Sequence, residues 1–251
     1  MTISYDFWLL ASSCVLAVAG CLAACVLVGQ LHTGRGPAWA WIAIAAPVLG
    51  LALWAMQFTA LMAVRLPMGF AFDLPLTLFS IEPAVVATAV VLWLGRNGRL
   101  HGARLLGAVL ALAAGATATR YFGFAAMRII PGIRYDAIIF VAAIAASAAI
   151  AYFALHYAGR WISGASLSRK LGIATIIGAA MCAAQYLGMG AARVEPNAFS
   201  NALATSFDRN WLGYAVPCAT LTMLVALTAG ALRYARSGSV TRVMRPGEIA
   251  G

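Results

Sequence analysis

Seven long apolar stretches follow one another along the chain, at about residues 7 to 29, 39 to 64, 74 to 94, 105 to 127, 135 to 158, 171 to 192 and 211 to 232, with polar residues gathered between them. Each is close to the 20 or so residues that an α-helix needs to cross a hydrocarbon core about 30 Å thick. Within the stretches the charged residues are Glu82, Arg120 and, at the very start of the fifth, Asp136. The fold expected is all-α, a polytopic membrane protein of seven transmembrane helices. Its first stretch follows Asp6 and lacks a small-residue cleavage site, so it reads as a retained helix and not a signal peptide.

Three of the helices carry the same small motif. Ala55-Met56-Gln57-Phe58-Thr59-Ala60, Ala118-Thr119-Arg120-Tyr121-Phe122-Gly123 and Ala183-Ala184-Gln185-Tyr186-Leu187-Gly188 recur 63 (120 − 57) and 65 (185 − 120) positions apart. Each is followed by an arginine eight positions after its Gln or Arg, at Arg65, Arg128 and Arg193. A two-helix unit has been repeated, and the helix pairs are expected to be related by an axis along the membrane normal. A position that recurs in such a unit is expected to face a shared interior.

Composition agrees with the class: 63% of residues are hydrophobic and 10% charged, too few charges to cover a soluble surface. One set of alternate loops and the tail hold Arg35, then Arg96, Arg99 and Arg104, then Arg160, Arg169 and Lys170, then Arg233, Arg236, Arg242 and Arg245. By the positive-inside rule these loops are cytoplasmic, which puts the N-terminus outside and the C-terminus inside. Asp6, Asp73, Glu82, Asp136, Glu195 and Asp208 all fall toward the other side. The net charge of +10 is therefore topology, and its scatter over short helix-flanking segments argues against a nucleic-acid partner. The chain divides into a membrane domain, 1–232, and a short basic cytoplasmic tail, 233–251, which is too short to fold alone.

Tyr5-Asp6, Phe72-Asp73, Tyr135-Asp136 and Phe207-Asp208 each precede a helix. An Asp there accepts from free backbone N–H groups and meets the positive end of the helix dipole, while the aromatic suits the membrane interface. Capping is the expected role.

With the fourth helix ending near Arg128, Arg120 lies eight residues inside it, and with the third starting near Leu74, Glu82 lies eight residues into that one from the same side, each about 12 Å deep at 1.5 Å per residue. An arginine at that depth is costly, and the expectation is an intramembrane ion pair between the two, the alternative being that Arg120 snorkels toward the outer headgroups and Glu82-Pro83 begins the third helix after a longer loop. With Gln57 and Gln185 they would form a polar cluster lined by Phe58, Tyr121 and Tyr186. Such a cluster serves equally as interhelical glue or as a pocket for a polar head group or a quinone-like ring.

This combination of seven spans, aromatic-Asp helix starts and the thrice-repeated motif resembles the MHYT family of bacterial membrane sensor domains, over nearly the whole chain. The family's motif falls on Met56-Gln57-Phe58-Thr59-Ala60-Leu61, Thr119-Arg120-Tyr121-Phe122-Gly123-Phe124 and Ala184-Gln185-Tyr186-Leu187-Gly188-Met189. The resemblance implies a multi-pass protein of the bacterial inner membrane with a sensory or signalling role. It also implies a metal, copper above all, held by motif histidines and methionines as a sensor of oxygen, carbon monoxide or nitric oxide. Here every motif histidine is replaced, by Gln57, Arg120 and Gln185. Amide nitrogen is a poor donor and a guanidinium offers no lone pair, so no metal cofactor is expected. His32, His101 and His156 sit in or beside the basic-loop segments and cannot substitute. Met56, Met62, Met127, Cys182 and Met189 remain as soft ligands for Cu(I), without the spacing of a recognised site. Cys14, Cys21, Cys25, Cys182 and Cys218 all fall within helices, as small hydrophobes in odd number.

Enzymatic readings fail on chemistry. The single Lys170 lies in a loop and cannot form a retinal Schiff base, no Ser or Cys shares its depth with a histidine, and no glycine-rich phosphate loop is present. The function expected is a sensory or signalling membrane module with a degenerate ligand site. Members of the resembled family that signal carry a diguanylate cyclase, phosphodiesterase or DNA-binding domain after the last helix, a place taken here by residues 233–251. The alternatives are a non-signalling membrane subunit or anchor, and a membrane protein that binds a lipid- or quinone-like molecule. The partners expected are membrane lipid and a protein in the membrane or at the basic cytoplasmic face.

Overall fold

Three helix pairs close a ring, and the seventh span packs outside it. The computed structural model describes residues 4–31, 37–65, 72–130, 132–161, 166–193, 199–200 and 209–243. Its helices are α1 (Phe7–Leu31), α2 (Ala38–Met62), α3 (Leu74–Phe79), α4 (Glu82–Gly95), α5 (Gly102–Ala125), α6 (Ala137–Trp161), α7 (Leu167–Gly190) and α8 (Arg209–Val243). They make seven spans long and apolar enough to cross a membrane, with α3 and α4 sharing the third. Around the ring, α1 packs on α2, α2 on α4, α4 on α5, α5 on α6, α6 on α7 and α7 on α1, while α8 lies against α1 and α2. This is the all-α, seven-span bundle of repeated pairs that the hydropathy and the motif spacing predict.

The third span is broken, where an uninterrupted helix was expected. Pro83 lacks a backbone N–H, and its ring would clash with the carbonyl four residues earlier in a continuous helix. That carbonyl belongs to Phe79, where α3 ends. The chain turns through Ser80 and Ile81 before α4 begins at Glu82. The last helix also departs from expectation: α8 continues to Val243 instead of ending near residue 232.

In lipid, helices gain no hydrophobic drive from meeting each other, so close packing by small residues carries the association. Gly50 on α2 lies against the backbone of Val85 on α4, and Gly178 on α7 against that of Val18 on α1; a Cβ at either would sit 2.5 Å and 2.9 Å from the facing Cα. One hydrogen bond crosses between helices at the first contact, from Thr88 Oγ1 to the Ala46 carbonyl at 2.9 Å.

At one end of the bundle three short antiparallel pairings tie the helices together. β1 (Ser4–Tyr5) pairs with β2 (Val64–Arg65), β3 (Ile129–Ile130) with β6 (Phe199–Ser200) and β4 (Arg134–Tyr135) with β5 (Ala192–Arg193). β1 leads directly into Asp6 and β4 into Asp136, and Asp73 before α3 is the equivalent third. The Asp6, Asp73 and Asp136 amides donate to the carbonyls of Ala63, Ala126 and Ala191 at 2.7, 2.8 and 2.9 Å. One carboxylate oxygen of each caps its helix, accepting from the amides of Trp8 and Leu9, of Leu76, and of Ile138 and Ile139. The other oxygen takes the arginine that follows a motif: Arg65 at 2.7 Å, Arg128 at 2.8 Å and Arg193 at 2.7 Å. Thus the two sequence repeats, aspartate and arginine, are halves of one joint. Asp208, the fourth such residue, lies outside the described residues.

These contacts hold the Asp6 carboxyl below its ordinary value, chiefly through Arg65. Asp136 is lowered too, first by the Ile139 amide and then by Arg193.

Candidate functional site

α2 is surrounded by α1, α4, α5, α7 and α8, so its motif is buried on every side. Gln57 and Gln185 are almost fully enclosed and Arg120 is only 7% exposed. Five residues from the end of each helix (125 − 120 on α5, 190 − 185 on α7), the Arg120 guanidinium meets Gln185: Nε and Nη2 both donate to its Oε1, at 3.0 and 2.9 Å. The long arginine side chain fits because residue 188 on α7 is glycine; a Cβ there would stand 2.7 Å from the guanidinium carbon. One turn of helix separates Gln185 and Gly188, so α7 supplies both the acceptor and the space.

Several polar atoms in this region have no hydrogen-bond partner: Arg120 Nη1, Gln57 Oε1, Thr59 Oγ1 and Thr119 Oγ1. Two cavities lie here, with Gln57 and Arg120 lining both and Thr119 the smaller. The smaller, about 10 Å³, is lined by Gln57, Thr119, Arg120, Gln185, Ser80 and Trp54 among others. The larger, about 60 Å³, is walled mainly by apolar residues of α2, α5, α6 and α7, with Gln57, Arg120, Gln185 and Ser147 as its polar lining. Gln57, Arg120 and Gln185 line both.

Three residues expected in this cluster lie elsewhere. Glu82 is exposed at the first turn of α4, and the expected Arg120–Glu82 ion pair is absent, its place at the guanidinium taken by Gln185. Its position follows from the break: once Pro83 restarts the helix, residue 82 begins it with its side chain turned out of the bundle. Tyr121 is 53% exposed, edge-on to Phe122 and tilted toward Tyr135. On α5 it is rotated about 100° from Arg120, and α5, unlike α2, has a free outer face. Tyr186 turns to α1, where its hydroxyl meets Ser13 Oγ at 2.9 Å and its ring meets Tyr5 edge-on at 5.9 Å. Phe58 is buried as expected, stacked on Trp54 at 4.8 Å and edge-on to Phe72 at 5.1 Å.

Sequence reasoning passed over Trp54, Ser80, Thr119 and Gly188. Trp54 Nε1 donates to Ser80 Oγ at 2.8 Å, and Ser80 Oγ donates to the Thr77 carbonyl at 2.6 Å, so the break in the third span brings a hydroxyl to the cavity wall. Pro83 inside an apolar stretch was the available signal. Gly188 recurs in the motif after Gly123, which was the signal for it.

The arrangement does not fit a copper ion. At the three motif positions it offers two amides and a guanidinium, whose fixed positive charge repels a cation. Cys182 and the buried Met56, Met62, Met127 and Met189 are packed into the apolar core cluster with Leu16, Phe58 and Phe72. Among the described residues no three His, Cys, Asp or Glu side chains are grouped for a metal.

Fold and site together define a multi-pass membrane domain of repeated helix pairs enclosing a polar interior. Residues 1–41 and 50–108 match the family model MHYT, the bacterial signalling protein N-terminal repeat. Over 237 residues the chain is 32% identical to the bifunctional diguanylate cyclase/cyclic di-GMP phosphodiesterase MucR of Pseudomonas aeruginosa, covering 91% of this chain and 34% of MucR. Over 157 residues it is 29% identical to the cyclic di-GMP phosphodiesterase NbdA of the same organism, covering 61% of this chain and 20% of NbdA. The chain thus spans about a third of the length of MucR and a fifth of that of NbdA. No solved structure matches it. The chain belongs to the MHYT family of membrane signalling domains and is a multi-pass protein of the bacterial inner membrane.

Proposed function

We propose that this domain senses a ligand at the cluster of Gln57, Arg120 and Gln185 and relays its occupancy through α8. One observation carries the reading: the equivalent position of all three repeats lines one cavity, and Gln57 and Arg120 each keep a buried atom without a hydrogen-bond partner among the described residues. The relay has a physical route. α2 carries Gln57 and packs on α8, and α8, at 35 residues, is about 52 Å long, some 20 Å more than a hydrocarbon core. It carries Arg233, Arg236 and Arg242 beyond the span Trp211–Gly230. A shift of α2 against α8 is therefore delivered outside the bilayer.

In this reading the N-terminus is outside and the end of α8 is cytoplasmic, where anionic lipid and a protein partner meet its arginines. The domain itself binds and does not catalyse, and it holds no resident copper. A cavity of about 60 Å³ is small for a quinone ring, since about 150 Å³ is what an engineered benzene site provides. The cyclic di-GMP activities named for MucR and NbdA are the class of output that such a domain would control in its own pathway.

A chimera tests this. The full 251-residue chain replaces the matching N-terminal third of MucR, and cellular cyclic di-GMP is measured with Gln57, Arg120 and Gln185 intact or changed one at a time to Leu, Met and Leu. The expected result is a change of output with each substitution at equal protein level. Output indifferent to all three would sink the proposal.

A further inference from the structure

Among the described residues, Arg120 is a buried cation with no counterion. Its guanidinium meets only a neutral amide oxygen, Nη1 has no partner, and among the described residues the nearest acids of the repeat are engaged or turned away. Asp73 holds Arg128, Asp6 holds Arg65, Asp136 holds Arg193, and Glu82 is exposed at the start of α4. An uncompensated charge in low dielectric is among the most expensive groups a bundle can carry.

Resting on the reading of this cluster as the ligand site, we propose that its ligand is a compact monovalent anion, held by the Arg120 guanidinium where Arg120 lines the larger cavity. Three features fit this class. The cavity of about 60 Å³ has room for roughly four waters, or one ion of three or four non-hydrogen atoms. Its other walls are apolar, which strengthens a charge-assisted hydrogen bond inside and disfavours a second negative charge. Gln57 can answer an anion as well: its side chain lines the cavity, makes no hydrogen bond among the described residues, and carries an amide N–H₂ donor. Thr119 Oγ1, also unpartnered, adds a hydroxyl on the side of the smaller cavity.

Calorimetric titration of the purified full chain in lipid nanodiscs with formate, at constant ionic strength, tests the proposal, with benzoate as an anion too large for the cavity. Expected are saturable formate binding, none of benzoate, and a roughly ten- to hundredfold loss in Arg120→Met. Should Arg120→Met fold poorly, Ala116→Leu fills the larger cavity while leaving the guanidinium in place, and it too should lose formate. Absence of formate binding to the native chain, benzoate binding equally well, or unchanged formate affinity in either variant overturns the proposal. Formate binding in a chain whose MucR chimera is indifferent to the cluster would support the anion site and refute only the signalling role. A responsive chimera without formate binding would refute only the ligand class.

Discussion

Gly188 and the guanidinium of Arg120 fill one space from opposite sides, with 2.7 Å between the position of a Cβ on the glycine and the guanidinium carbon. Gly188→Ala should therefore push Arg120 off Gln185 and cost on the order of 1–3 kcal/mol, as overpacking does. Gly190→Ala, where nothing lies within 4 Å of the added carbon, should cost little or even stabilise the helix. Thermal unfolding of both variants in detergent makes the comparison, and equal midpoints would contradict this fit.

Arg120 should be coupled to Gln185 and not to Glu82. Gln185→Leu removes the acceptor of two guanidinium bonds and should cost about 3 kcal/mol or more. In double-mutant cycles, Arg120→Met with Gln185→Leu should fall well short of the sum of the singles, while Arg120→Met with Glu82→Gln should be additive within about 0.5 kcal/mol. A large Arg120–Glu82 coupling would restore the ion pair expected from depth alone.

The three Asp–Arg joints should differ with burial. Asp73 is 6% exposed, and Asp73→Ala should cost about 2–3 kcal/mol as cap and buried partner are lost together. Asp6→Ala, whose Arg65 is well exposed, should cost about 1 kcal/mol. Reversal of that order on chemical denaturation would count against it.

A pH dependence follows from the exposed joints. Asp6 and Asp136 are held below their ordinary value of 3.8, so their contribution is complete above that value and is lost as the pH falls through the folded-state value. The melting temperature should drop in the pH range below about 4, and less steeply in Asp6→Asn/Asp136→Asn. An identical profile in that variant would remove these two carboxyls as the cause.

Elemental analysis of the native protein should find no stoichiometric copper, and the triple change Gln57→His, Arg120→His, Gln185→His should create copper affinity. The prediction rests on three positions lining one cavity and on imidazole supplying the donor that amide and guanidinium lack. Copper near one per native chain would redirect attention to the buried thioethers and Cys182.

Seven spans, the repeated pairs and the capping aspartates were all legible in the sequence, because hydropathy, motif spacing and helix-start chemistry are local properties that each segment carries with it. The inward position of Gln57, Arg120 and Gln185 was legible too, since a residue recurring in a repeated pair meets its equivalents at the shared interior. What needed the tertiary structure was everything set by rotation about a helix or by a distant partner. Tyr121 and Phe58 hold the same motif position, yet one faces outward and the other is buried, because α2 is enclosed by five helices and α5 is not. Glu82 has the right depth to meet Arg120 and the wrong face, since Pro83 restarts the helix and depth says nothing of azimuth. Asp6 and Arg65 lie 59 positions apart, and only the closure of a helix pair makes them one joint.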